Sequence, residues 1–245
     1  MAFDIKANQG LGTEDLTANG MPVLRILQDL SPQLKPQKKE YVEGSKVGDI
    51  FFAKESMILG NKITLIPIKM EVLYTEWNTR ENGGGLVAIH PLTITDSPTY
   101  KKARKGKYDE WLGDNELHVT HYWFLQAEIN GEWKPVIIPM SKSQLKVSRE
   151  LQKKIKGFRY EDEPTVKPNI FARKVMLSTS YEENDNGDGY YNWSIDSFVV
   201  LDPEEDEDLL VSSLELTKSA EKYLPETTKQ VSLPDEFLDD DSVEI

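Results

Sequence analysis

Five cations fall within seven positions at Lys101, Lys102, Arg104, Lys105 and Lys107, bracketed by Tyr100 and Tyr108 and followed by Trp111. A second basic group, Lys142, Lys146, Arg149, Lys153, Lys154, Lys156 and Arg159, stands against Glu150 alone. Clustered cations attract phosphates by releasing condensed counterions, and exposed rings offer stacking platforms that tolerate any base. The first cluster, helped by Lys146, Arg149 and Lys153, is therefore expected to bind phosphates, with Trp77, Tyr100, Tyr108, Tyr122 and Phe124 stacking on bases. The bland reading of a Lys-rich helix is a solvated face. For Tyr122 and Phe124 it is a second packed layer, such as a C-terminal helix lying over them.

Enzyme chemistry has less material. With no cysteine, thiolate metal sites and cysteine nucleophiles are excluded. Gly83-Gly84-Gly85 lacks the Gly-Lys-Ser/Thr of a phosphate loop and joins two strands, where that motif needs a helix start. Asn184-x-Asn186-x-Asp188-Gly189 opens like a calcium loop but has Ile195 where a bidentate Glu is required, so it is read as a turn. His118 and His121 are three apart on a strand and face opposite sides, leaving His90 as the third histidine. The least implausible enzyme is a metal-dependent nuclease using Asp114, Glu132 and Lys134. A chain without catalysis, cofactor or metal is the leading expectation.

The elements that must position these residues are mostly strands. Ile63 to Trp77 is β-rich, with Ile66, Ile68, Met70, Val72 and Tyr74 on one parity, and Leu86 to Thr95 returns after the glycine turn. Leu117, Val119, Trp123, Leu125, Ala127 and Ile129 alternate on one face, and Asn130-Gly131 is a strong hairpin signal before Trp133 to Met140. A second hairpin joins Phe171–Tyr181 to Tyr190–Leu201. Between the hairpins lies a helix capped by Ser141 or Ser143, with Leu145, Leu151 and Ile155 as its stripe and Gly157 as its stop. Val23 to Leu30 has the spacing of a helical turn or two. The expected class is mainly β (α+β): an OB-like small β-barrel with an inserted helix, although a sandwich fits the same pattern.

Charge divides the chain. The net charge of −13 is −1 through Leu201, −6 over residues 202–224 and −6 over residues 225–245. Asp202-Pro203-Glu204-Glu205 writes a helix start. The expected organisation is a body over 1–201 with a loose arm over 1–20, a C-terminal helix over 202–224 and an acidic flexible tail over 225–245. No apolar run reaches the length of a spanning helix, and the N-terminus lacks a signal-peptide pattern, so a cytoplasmic protein without membrane contact is expected.

The tail mixes Asp239, Asp240 and Asp241 with Phe237, Leu238, Val243 and Ile245. With Trp77…Arg80…Gly83-Gly84-Gly85, then Gln144-Leu145-Lys146…Arg149, then an Asn/Gly turn before Tyr190-Tyr191, it resembles bacteriophage single-stranded DNA-binding proteins with an OB-fold body and an acidic C-terminus. The resemblance implies a groove binding single strands without sequence preference in phage replication or recombination, in the host cytoplasm. It further implies that Phe237, Leu238, Asp239, Asp240, Asp241 and Ile245 recruit replication proteins such as a DNA polymerase or helicase and compete for the groove. The last residue, Ile245, departs from the Phe that ends many such tips. Oligomeric state stays open, a homodimer included. The competing reading is an adaptor that recruits a polymerase through its tail without touching DNA.

Overall fold

The computed structural model describes residues 22–79, 85–103, 109–159, 165, 168–184 and 186–220. The loose arm, Arg104, Lys105, Lys107, Tyr108, the expected helix end near Pro225 and the acidic tail lie outside the described residues.

Eleven strands and two helices follow one another among the described residues: β1 (Leu24–Ile26), β2 (Ile50–Phe52), β3 (Met57–Ile58), β4 (Lys62–Trp77), β5 (Leu86–His90), β6 (Tyr100–Ala103), β7 (Asp109–Leu112), β8 (Asn115–Ile129), β9 (Glu132–Ser141), α1 (Leu145–Gly157), β10 (Arg173–Glu183), β11 (Gly189–Val200) and α2 (Glu207–Ser219). The protein is mainly β, a curled half-barrel sheet with two helices, as its alternation and turn residues led one to expect. The long strands β4 and β8 form its spine, paired antiparallel from Leu65↔Ala127 to Trp77↔Glu116. β10 and then β11 extend the sheet from β4, and β9 extends it from β8.

A three-stranded sheet, β1-β2-β3, joins the larger one through its N-terminus. Val23 bridges Ile137 in parallel, and the Ile137 N–H donates to the Pro22 carbonyl at 2.9 Å. Past the far edge, the Gln28 side-chain amide behaves like a piece of strand: its Nε2 donates to the Tyr191 carbonyl at 2.8 Å, and its Oε1 accepts the Tyr191 N–H at 3.0 Å. That side chain links the β1–β2 layer to the open edge of β11. Gly48 accompanies it at φ +88°, and a Cβ there would sit 2.5 Å from the Tyr191 ring.

Each face of the spine has its own core. Trp123, Leu125, Ala127 and Ile129 pack with Leu24, Ile50, Phe52, Met140, Leu177 and Trp193, and α1 closes this side with Val147 and Leu151. On the opposite face Ile66, Ile68, Tyr122, Phe124 and Ile137 pack beneath Leu209, Leu210, Leu216 and Ala220 of the α2 segment.

Several local expectations need correction. Leu24 and Ile26 are buried with Arg25 outward, so the stretch expected to be helical is strand β1, drawn into the backbone bonding of β2. The single apolar parity expected for β4 is split by a bulge between Pro67 and Lys69. Pro67 has no N–H to give the ladder, and the extra residue Ile68 shifts Met70, Val72 and Tyr74 to the face opposite Ile66. The return strand stops at His90, and Pro91 leads into a helical turn over Leu92–Asp96. Ser141 gives no side-chain cap; a short helical turn over Lys142–Gln144 leads into α1 instead. Asp202 does cap a turn, its Oδ1 accepting the N–H groups of Glu204 and Glu205 at 2.8 and 3.1 Å, but regular α2 starts one turn later, at Glu207.

Candidate nucleic-acid interface

Strand register brings distant residues into one row. Leu86 pairs with Trp77, Trp77 with Glu116, Glu116 with Trp111, and Trp111 with Lys101. Directly paired residues of antiparallel strands project to the same face, so five strands present Leu86, Trp77, Glu116, Trp111 and Lys101 side by side. Neighbouring strands are about 4.8 Å apart, which sets the backbones that carry the two indoles about 10 Å apart across Glu116. Trp77 is 37% exposed, Lys101 is exposed, and Trp111 is half-buried. Lys101 makes no ion pair among the described residues. The chain segment after β6 carries Arg104, Lys105 and Lys107.

Glu116 is the one acid of this row, and its charge is balanced. Its Oε2 accepts a hydrogen bond from His118 Nε2 at 2.8 Å and lies 3.5 Å from Lys142 Nζ. Partial burial pushes the Glu116 carboxyl up, but the Lys142 ammonium and the His118 bond outweigh it and hold it below its ordinary value. Further along the same face, Thr75 and Thr120 share a hydroxyl–hydroxyl bond at 2.7 Å. Beyond them the α2 core begins.

The structure corrects four stacking or phosphate roles. Tyr122 and Phe124 are each 1% exposed, so α2 covers the rings that the stacking reading needed open. Burial pushes the Tyr122 phenol well above its ordinary value. Tyr100 lies on the opposite face, packed with Tyr74, Ile94 and Leu117, and its hydroxyl donates to Glu110 Oε1 at 3.1 Å. Lys102 shares that face and is already neutralised by Glu110 at 2.8 Å. Burial, then Glu110, pushes the Tyr74 phenol up as well, so this corner is a hydrogen-bonded packing cluster. Trp77 and Lys101 thus come together, whereas Tyr100, Lys102, Tyr122 and Phe124 do not join them. Trp111 and Glu116 are functional candidates that the sequence reading left aside; cross-strand register was the missing signal, and it follows from no spacing within one strand.

The same sequence matches the Pam3 phage gp34-like protein family over residues 1–221. The chain belongs to this phage family. No curated protein and no solved structure matches it.

Within this family member the helical cations stand apart. Lys146, Arg149 and Lys153 are exposed and make no ion pair among the described residues, but α1 packs on the face opposite the tryptophan row. Beneath them, Trp123 Nε1 donates to Ser148 Oγ at 2.7 Å, and Ser148 Oγ lies 2.7 Å from His121 Nδ1. Gln152 Nε2, an amide nitrogen that can only donate, approaches His121 Nδ1 at 3.1 Å, so Nδ1 is an acceptor and the Ser148 hydroxyl gives its proton to it. His121 is therefore the neutral Nε2–H tautomer. Burial, then the Arg149 charge, holds its pKa below the ordinary value.

The nuclease constellation does not form. Asp114 precedes the first residue of β8 and Glu132 pairs with the last, so about 45 Å of strand separates them. Lys134 is held by Glu55 at 2.9 Å. Among the described residues no group of three His, Asp or Glu side chains could hold a metal, and no helix is long and apolar enough to cross a membrane.

Proposed function

We propose that this phage-family protein is a non-catalytic, sequence-nonspecific single-stranded DNA-binding protein of phage DNA replication and recombination. Its acidic tail would compete for the DNA site and recruit replication proteins such as a polymerase or helicase. The observation that carries the reading is the row in which exposed Trp77 and half-buried Trp111 stand side by side with Lys101 at its end. Indoles supply base stacking and the cation supplies phosphate attraction, the two terms that single-strand binding combines. The strand order β11-β10-β4-β8-β9, with α1 inserted between β9 and β10, supports an OB-like barrel, an architecture that binds oligonucleotides on its strand face. The separate cations of Lys146, Arg149 and Lys153 would lengthen the phosphate path around the sheet edge.

The test is a titration of fluorescent oligo-dT at low and moderate salt, with the full chain and with a chain ending at Leu224. Binding that weakens with salt and tightens when the tail is removed is expected. Failure of both proteins to bind at low salt would sink the reading and favour the adaptor.

A further inference from the structure

The row contains a feature that simple backbone binding does not need: a carboxylate between two indoles. We infer that Glu116 reads bases on this surface, its Oε1 accepting the exocyclic amino group of a base stacked on Trp77 or Trp111, so that cytosine is favoured over thymine. This rests on the proposed single-strand binding and adds a modest base preference to stacking contacts that otherwise tolerate any base.

Position comes first. Glu116 pairs directly with both tryptophans, one on each neighbouring strand, so a base lying on either ring presents its edge toward the carboxylate. Availability comes second. The contacts from His118 and Lys142 both fall on Oε2, and Oε1 has no partner among the described residues. The Glu116 side chain as a whole is 37% exposed, so a ligand can reach the carboxylate without opening the fold.

Charge comes third. A bare carboxylate would repel the phosphates that Lys101 attracts, and Lys142 with His118 compensates that charge while leaving the acceptor in place. Cytosine offers an N4 amino donor to an acidic acceptor, whereas thymine offers two carbonyl acceptors around one N–H. The two pyrimidines stack similarly, so their comparison isolates the edge contact.

Affinities for oligo-dC and oligo-dT of equal length, at one salt concentration and pH 7.5, test this in wild type, Glu116→Gln, Glu116→Ala and Trp77→Ala. Wild type should prefer dC by about 3- to 10-fold, the range of one exposed charge-assisted hydrogen bond. Glu116→Ala should bring the ratio to about one and Glu116→Gln, which keeps only a neutral acceptor, should lower it, while Trp77→Ala should weaken both ligands. If Glu116 acted only through its charge or as a structural partner of Lys142, its removal would shift both affinities together and leave the ratio unchanged. That result, or equal wild-type affinities, overturns the inference while leaving single-strand binding intact. Absence of binding by wild type to either oligonucleotide overturns the proposed function and this inference with it. Circular dichroism and urea midpoints of the variants identify any loss that comes from unfolding.

Discussion

One face of β8 carries Tyr122 and Phe124 at its centre and Glu116 and His118 at its start, and the two ends have opposite fates. At the centre α2 lays Leu209, Leu210 and Leu216 over the rings and excludes water. Gln126 anchors it there, accepting the Ser213 hydroxyl at 2.7 Å. Eight residues earlier along the strand the face stays open, and its aromatic surface comes from neighbouring strands, Trp77 on β4 and Trp111 on β7. An aromatic residue on the outward parity of a strand is therefore a question about what covers it. Here the covered rings hold a helix to the sheet, and exposed Trp77 with half-buried Trp111 forms the row on which the proposed function rests.

That contrast is open to attack by mutation. The largest effect is expected at the covered end: Phe124→Ala should cost about 3–5 kcal/mol of stability in urea unfolding, as loss of a buried aromatic does. Oligonucleotide affinity measured where the variant is still folded should stay the same; a selective loss of binding without destabilisation would restore its stacking role. At the open end Trp77→Ala should do the reverse, weakening single-strand binding by about 1–3 kcal/mol in a fluorescence titration, with a small change in the urea midpoint.

A finer separation compares adjacent lysines on opposite faces. Lys101→Ala should reduce the slope of log affinity against log salt by about one, and Lys102→Ala, which removes a partner of Glu110, should barely change it. Equal slopes for the two variants would mean that the row is not the phosphate path.

The smallest expected effect concerns the other face, under α1. Burial, then the Arg149 charge, holds the folded pKa of His121 below the ordinary 6.5. In the unfolded chain it takes up a proton sooner. Stability should therefore be full above about pH 6.5 and fall as pH drops through that value toward the folded pKa. Urea midpoints between pH 8 and pH 5 check this, and a folded His121→Gln variant should lose that part of the dependence.

What could be read in advance was what one strand or one turn determines. The alternation from Leu117 to Ile129 places six apolar residues on one face, and Asn130 and Gly131 both take positive φ, 55° and 79°, as the two-residue hairpin requires. Asp202 caps its turn because a carboxylate satisfies the free N–H groups two and three residues on. Val23 to Leu30 misled because a run of mixed apolar residues suits either period until a partner strand is present to bond it. In β4 one extra residue reversed the parity of everything after it, which composition does not register.

The sequence by itself determined the long strands and the turns between them, the basic stretch at residues 101–107 and the segregation of acid into the last residues, because each is a local matter of side-chain period, backbone freedom or charge. Tertiary structure decided which aromatic rings stay exposed, which lysine is already paired, and that Trp77, Glu116, Trp111 and Lys101 stand in one row. Those outcomes depend on registers between four strands and on where a helix docks some ninety residues further along the chain, and long-range pairing of that kind leaves no local periodicity to be read.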